Sequence, residues 1–503
     1  MVKDGKRLFY SDVTVDVEKG KNTNHVKLYE MDSAVSKTIL SYDKNSVLIE
    51  LAASADGDCI AASVMVDYAV KEIFIIHNND LSYYSMTKDV PAPFIYMGTC
   101  HDKHYLISQE KADFGEIIAI PDGKHIGDAV SIIPQQDNRI IQNGAILNGK
   151  LLVFYMEDVA SIVAEYTLEG RWLRNLELPS KLGTAALSNG IPSWSLSAEN
   201  IFLTFESFTN PPSVLQYNGS ALRILHSAKE VDTSNIVVTR EFVTARDGQK
   251  LPAFIVHMKD VVLNGQNPTL MYGYGGYYVA ETPHFNNPFV GIDIIEWVQK
   301  GYVYVNCNIR GGSEYGVQWH TGGNLFNKKN CFYDFIDIAE WMIDNQWTSP
   351  KKLAICGGSN GGLLMSALTT MRPDLWGAVI ASVPHTDMIH FKNDDRGPMY
   401  ITEYGDPGEE EMFHYILSYS PYHNVKKTTY PPIYIQTGEC DNNVPPYHGK
   451  KLAARLQSNN QADTPVLLRV LATGSHDRGK GEEWYQTTAE MYTFIANALH
   501  LDD

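Results

Sequence analysis

The chain runs to 503 residues, too many for a single hydrophobic core, so two or three domains are expected. Hydrophobic residues make up 44% and charged residues 20%, a globular composition that excludes a disordered or fibrous chain. A formal charge of −18 argues against nucleic acid and anionic membrane as partners and is read as a solubility feature.

The residues after Met1-Val2-Lys3-Asp4-Gly5-Lys6 form no apolar h-region, so no signal peptide is expected. No uninterrupted apolar run reaches the ~18 residues of a membrane span. The six cysteines are far apart, without C-x-x-C, and read as free thiols of a cytoplasmic protein. Neither H-E-x-x-H, nor a P-loop, nor metal-ligand spacing occurs, so no metal and no cofactor are expected.

Over residues 1–235 short apolar or alternating runs are broken by Gly, Asn, Asp and Pro, the chemistry of strands and turns. The runs recur: Arg7-Leu8-Phe9-Tyr10, Cys59-Ile60-Ala61-Ala62, Tyr105-Leu106-Ile107-Ser108, Leu151-Leu152-Val153-Phe154 and Ile201-Phe202-Leu203-Thr204. Their starts lie about 45–50 residues apart, the period of four-stranded propeller blades. Partner runs follow at Glu116–Ile120, Ile162–Tyr166 and Ser213–Tyr217, each closed by a glycine turn. A β-propeller of about four to five blades is expected; a stack of antiparallel sandwiches is the rival.

From about residue 236 strand-like runs alternate with helical patterns, the signature of a mainly parallel sheet with helices on both faces. Strands are expected at Thr269–Tyr272, Tyr302–Asn306, Leu353–Gly357, Ala378–Ser382, Ile433–Thr437 and Val466–Leu471. Helices are expected at Phe332–Trp347, Gly361–Met371 and about Gly481–Leu499.

Gly357-Gly358-Ser359-Asn360-Gly361 fits the nucleophile elbow G-x-S-x-G, in which glycines tolerate a sharp strand-to-helix turn that lifts the serine hydroxyl. The pattern alone arises by chance about 0.2 times in such a chain at average residue frequencies. A strand before it and a helix after it single out Ser359 as the nucleophile of an α/β-hydrolase.

In that fold the acid and the histidine follow in this order. The strand Ile433–Thr437 runs into Gly438-Glu439-Cys440-Asp441-Asn442-Asn443-Val444-Pro445. Glu439 and Asp441 compete for the acid; a short loop and Val-Pro after it favour Asp441, with Cys440 as a packed thiol. The strand Val466–Leu471 leads into Gly474-Ser475-His476, making His476 the candidate general base. Tyr272-Gly273-Tyr274-Gly275-Gly276 follows an early strand, where the second oxyanion donor of this fold usually arises.

These stretches, with Asn308-Ile309-Arg310-Gly311-Gly312-Ser313-Glu314-Tyr315-Gly316, Arg372-Pro373-Asp374-Leu375 and Tyr419-Ser420-Pro421, closely resemble the prolyl oligopeptidase family of serine peptidases over about residues 235–500. The resemblance implies an α/β-hydrolase catalytic domain (236–503) beside a β-propeller (1–235). It implies a Ser359–Asp441–His476 triad, and an oxyanion hole of the Tyr274 hydroxyl and the Asn360 backbone N–H. It further implies short peptide substrates cleaved on the carboxyl side of proline, and a monomer.

Three departures from the family pattern stand out. Tyr400 stands where a tryptophan stacks on the substrate proline, and Tyr277 where a phenylalanine lines the same pocket, giving a more polar aromatic floor. Asn443 replaces an arginine that holds a substrate carbonyl, which should weaken binding or broaden preference. The family also carries an N-terminal segment and seven blades. This chain is therefore expected to be a fragment, an incomplete gene model or a protein with an open propeller. The alternatives are a small-ester or broader-specificity hydrolase, and a catalytically impaired propeller-type binding protein.

Overall fold

The computed structural model describes residues 5–16, 21–42, 46, 48–54, 57–66, 70–187, 200–228, 231–287, 291–477 and 479–501. Arg478, in the loop of His476, and the first four residues lie outside the described residues. The chain divides into two compact units, Met1–Glu230 and Val231–Asp503.

Among the described residues the first unit shows successive antiparallel meanders, one three-stranded sheet and then four of four strands, each with its strands in chain order. The recurring runs at Cys59, Tyr105, Leu151 and Ile201 fall in the second strand of the four-stranded sheets. The partner runs at Glu116, Ile162 and Ser213 fall in the third. The Arg7 run instead belongs to the first strand of the three-stranded sheet.

The Tyr105 and Leu151 runs are apolar on successive positions because their sheets are covered on both faces, whereas the Ile201 strand alternates buried and exposed residues. Leu106 packs with Ile73 and Ile75 of the preceding sheet, while its neighbour Ile107 packs with Leu151 and Val153 of the following one. Leu152 and Phe154 then face Leu203 and Phe205. Alternation of side chains along a strand thus serves two cores at once.

The second unit is an eight-stranded sheet with strands β1 (Ile236–Thr244), β2 (Lys250–Met258), β3 (Thr269–Tyr272), β4 (Val303–Cys307), β5 (Leu353–Gly358), β6 (Ala378–Ser382), β7 (Ile433–Gly438) and β8 (Val466–Leu471). Their spatial order is 1-2-4-3-5-6-7-8. β2 pairs antiparallel with β1 and β4; every pairing from β4 onward across the sheet is parallel. The central strands β3 to β7 are buried along their whole length, as expected where helices cover both faces. At the far edge, β8 leaves Leu467 44% and Leu468 36% exposed.

The expected helices lie at Lys329–Asp344, Asn360–Met371 and Glu482–Leu499. The antiparallel pair β1–β2 precedes the first strand that the sequence pattern predicts for this unit. In register, Gly358 faces Ser382 across β5–β6, and Gly438 faces Leu471 across β7–β8. The carboxyl ends of β5, β7 and β8 therefore open on one rim of the sheet, where ligands bind in open α/β folds. No described helix is long and apolar enough to cross a membrane.

Candidate active site

Ser359 links β5 to the helix Asn360–Met371 with φ 56° and ψ −116°, a conformation that costs a non-glycine residue about 1–3 kcal/mol. Two backbone hydrogen bonds hold it: Ser359 N–H donates to the Ser382 carbonyl (2.9 Å), and Leu363 N–H donates to the Ser359 carbonyl (3.0 Å). The turn also needs close packing. A Cβ on Gly361 would sit 2.8 Å from the Gly273 carbonyl oxygen, so only glycine lets the helix start approach the end of β3. The Tyr274 ring lies on the same spot, its Cδ2 3.5 Å from where that Cβ would be.

Asp441 sits in the turn after β7 and is 4% exposed. Its Oδ1 accepts the N–H groups of Asn443 and Val444, both at 2.9 Å, and its Oδ2 lies 2.8 Å from His476 Nδ1. A carboxylate held by two backbone donors is acceptor-only, so His476 Nδ1 is the protonated nitrogen and Nε2 carries the lone pair. Glu439, the competing acid, turns outward and pairs with Lys450 at 2.7 Å. Cys440 is exposed rather than packed, because the turn directs it away from the sheet.

Beside the elbow, four rings form one cluster. Tyr277 meets Tyr400 and Tyr404 edge-on, with centroids 6.1 and 5.8 Å apart. His385 meets the same two rings at 5.1 and 5.7 Å. The Tyr400 hydroxyl donates to the Asn443 carbonyl (3.0 Å), so the extra oxygen of a tyrosine ties this cluster to the Asp441 turn. Burial holds the His385 pKa well below the usual histidine value, so its ring is neutral. His385 Nδ1 and Asn443 Oδ1 are buried without a hydrogen-bond partner among the described residues.

The family model of the prolyl oligopeptidase family matches residues 292–502, and that of the prolyl oligopeptidase N-terminal beta-propeller domain matches residues 2–221. The chain belongs to the prolyl oligopeptidase family. A prolyl endopeptidase of Dictyostelium discoideum is 32% identical over 455 residues, 86% of this chain and 57% of the relative. One from Elizabethkingia meningoseptica is 34% identical over 357 residues, 70% of this chain and 49% of the relative. The chain thus spans about half the length of the curated relatives it matches.

Among solved structures, one from a mechanistic comparison of two prolyl endopeptidases aligns with a TM-score of 0.89 at 27% identity, covering 100% of this chain and 74% of that one. Prolyl oligopeptidase B from Galerina marginata aligns with a TM-score of 0.89 at 25% identity, covering 100% and 71%. The fold of this prolyl oligopeptidase family member is accordingly an N-terminal β-propeller domain with an α/β-hydrolase peptidase domain.

Sequence reasoning singled out Ser359, Asn360, Tyr274, Tyr277, Tyr400, Asp441, Asn443 and His476 but not His385 or Tyr404. Tyr404 lies in the same stretch as Tyr400, one helical turn on. His385 follows β6, whose end abuts the elbow, and that adjacency in the sheet is the signal that could have found it.

The fold also gathers two groups of potential metal ligands that no sequence spacing reveals. Cys59, His77 and Asp122 lie together, as do Asp387, His390 and His423. In the first group His77 Nδ1 lies 3.7 Å from Cys59 Sγ and Nε2 3.8 Å from Asp122 Oδ1, and His104 Nε2 lies 3.0 Å from the same Asp122 oxygen. In the second, the Lys451 ammonium already pairs with Asp387.

Proposed function

We propose that this chain is a serine oligopeptidase that hydrolyses short peptides on the carboxyl side of proline through an acyl-enzyme. The observation that carries the reading is the strained Ser359 on one sheet rim with an Asp441-anchored His476. In this reading residues 236–503 are the catalytic domain and residues 1–235 the propeller. The protein acts as a cytoplasmic monomer.

In the proposed reaction Ser359 Oγ attacks the scissile carbonyl while His476 Nε2 takes its proton. The developing oxyanion accepts from the Asn360 N–H, at a helix N-terminus, and from the Tyr274 hydroxyl. The C–N bond then breaks, and the imidazolium protonates the leaving amine. Water repeats the sequence, releasing the peptide acid and Ser359. Asp441 keeps the tautomer fixed throughout. Tyr277 and Tyr400 form the face against which a proline ring stacks, and Asn443 offers a weaker hold on the substrate carbonyl than an arginine would.

A broader side-chain preference is the second reading, and the unpartnered polar atoms of His385 and Asn443 favour it, since a polar group entering there gains a partner. The test is fluorophosphonate labelling of the purified chain with turnover of matched proline and alanine chromogenic peptides. Labelling and preferential cleavage after proline are expected, and folded Ser359→Ala should lose about 10⁵-fold or more in kcat. A folded Ser359→Ala variant with full activity would remove the reading; equal turnover of both peptides would select the broader one.

A further inference from the structure

The segment that carries Tyr274 is held from three sides by buried polar side chains. From the helix Asn360–Met371, Asn360 Nδ2 donates to the Tyr274 carbonyl at 2.6 Å. From the residue before the helix Lys329–Asp344, Lys328 Nζ donates to the Gly275 carbonyl at 3.0 Å. From the short helix Ile401–Tyr404, Glu403 Oε2 accepts the Tyr277 N–H at 3.0 Å.

Lys328 and Glu403 are themselves an ion pair at 2.8 Å, with side chains 0% and 2% exposed. The grip leaves no room. A Cβ on Gly276 would lie 2.5 Å from Asn360 Nδ2 and 2.8 Å from Glu403 Oε1. Beyond it Tyr277 and Tyr278 both hold positive φ, 55° and 60°, which side-chain-bearing residues adopt only when their surroundings impose it.

A buried ion pair is a poor source of stability, because desolvating two charges offsets most of their attraction. Here both charges also spend hydrogen bonds on consecutive backbone groups of one loop. Glu403 lies between Tyr400 and Tyr404, the pocket rings, and the Tyr404 hydroxyl donates to Asn360 Oδ1 at 3.1 Å. The pocket wall and the oxyanion side are therefore braced by one network.

We propose that the Lys328–Glu403 pair is the positioning device of the Tyr274–Tyr278 loop, fixing the Tyr274 hydroxyl for the transition state and coupling it to the aromatic pocket. This rests on the hydrolase reading, with Tyr274 as an oxyanion donor. Neither Lys328 nor Glu403 touches substrate; both act through the loop.

A double-mutant cycle on the full chain tests it. Tyr274→Phe alone should lower kcat about 100-fold, the usual effect of losing one oxyanion donor. Glu403→Gln should lower kcat with KM within about threefold, since the loss falls on the transition state. In the Glu403→Gln background, Tyr274→Phe should then cost less than about tenfold, because the hydroxyl is already misplaced.

Losses that multiply, or a Glu403→Gln effect confined to KM, would overturn the inference while leaving the hydrolase reading intact. A wild-type chain that neither labels with fluorophosphonate nor turns over would remove both. If Glu403→Gln does not fold, Lys328→Met/Glu403→Leu, which removes both charges together, carries the same cycle.

Discussion

The two sides of the candidate site are built differently. On the Asp441 side, both carboxylate oxygens are engaged, two backbone N–H groups on one and the His476 ring on the other. On the aromatic side, His385 Nδ1 and Asn443 Oδ1 are buried with no hydrogen-bond partner among the described residues. A saturated group is fixed before substrate arrives; an unsaturated one is completed, if at all, by what enters. Under the proposed function, the first region would carry the chemistry and the second the choice of substrate.

The sharpest way to break the contrast is Asp441→Asn. The amide keeps the shape but can donate to His476 Nδ1, favouring the wrong tautomer, and kcat should fall about 10⁴-fold. A loss below tenfold, measured with the proline chromogenic peptide, would show that the saturated side does not set the chemistry.

Glu314 extends the comparison beyond the site. One oxygen of this buried carboxyl accepts from Asn308 and the Glu281 N–H, while Oε2 has no partner among the described residues. Burial pushes its pKa up to about 7. The folded state therefore holds this proton more tightly than the unfolded chain does. Stability is lost as pH rises from the ordinary carboxylate value through about 7. Glu314→Gln should match wild type in Tm near pH 5 and exceed it by a few degrees near pH 8. A gap that stays constant with pH would refute the assignment.

The smallest effect is expected at His385. His385→Leu keeps an apolar ring-sized filler and removes the unpartnered nitrogen. It should raise kcat/KM for the proline peptide about threefold and lower it for a polar counterpart such as 4-hydroxyproline. An unchanged ratio between the two peptides would take His385 out of substrate choice.

Much of this architecture was legible in the sequence, for local reasons. Ser359 is announced by glycines within two residues of it, and Asp441 and His476 by the strands that deliver them. The Tyr105 and Leu151 runs of the first unit are visible because those strands are buried on both faces. The pocket was only half legible, since Tyr400 and Tyr277 stand at family positions whereas His385 enters from another strand end. Lys328 and Glu403 were invisible. They are 75 residues apart, and a sequence shows charges without showing which of them the fold removes from water. Asp122 and His77 escaped for the same reason.

β8 is the open edge of its sheet, and His476 hangs from its carboxyl end. β5, which delivers Ser359, is flanked by strands on both sides and wholly buried. The two partners of the proposed proton transfer are thus anchored to strands of unequal protection. Sub-global openings should reach β8 first. Amide hydrogens of Val466–Leu471 should exchange sooner than those of Leu353–Gly358, and mild denaturant should abolish the proposed activity while the sheet centre is still closed.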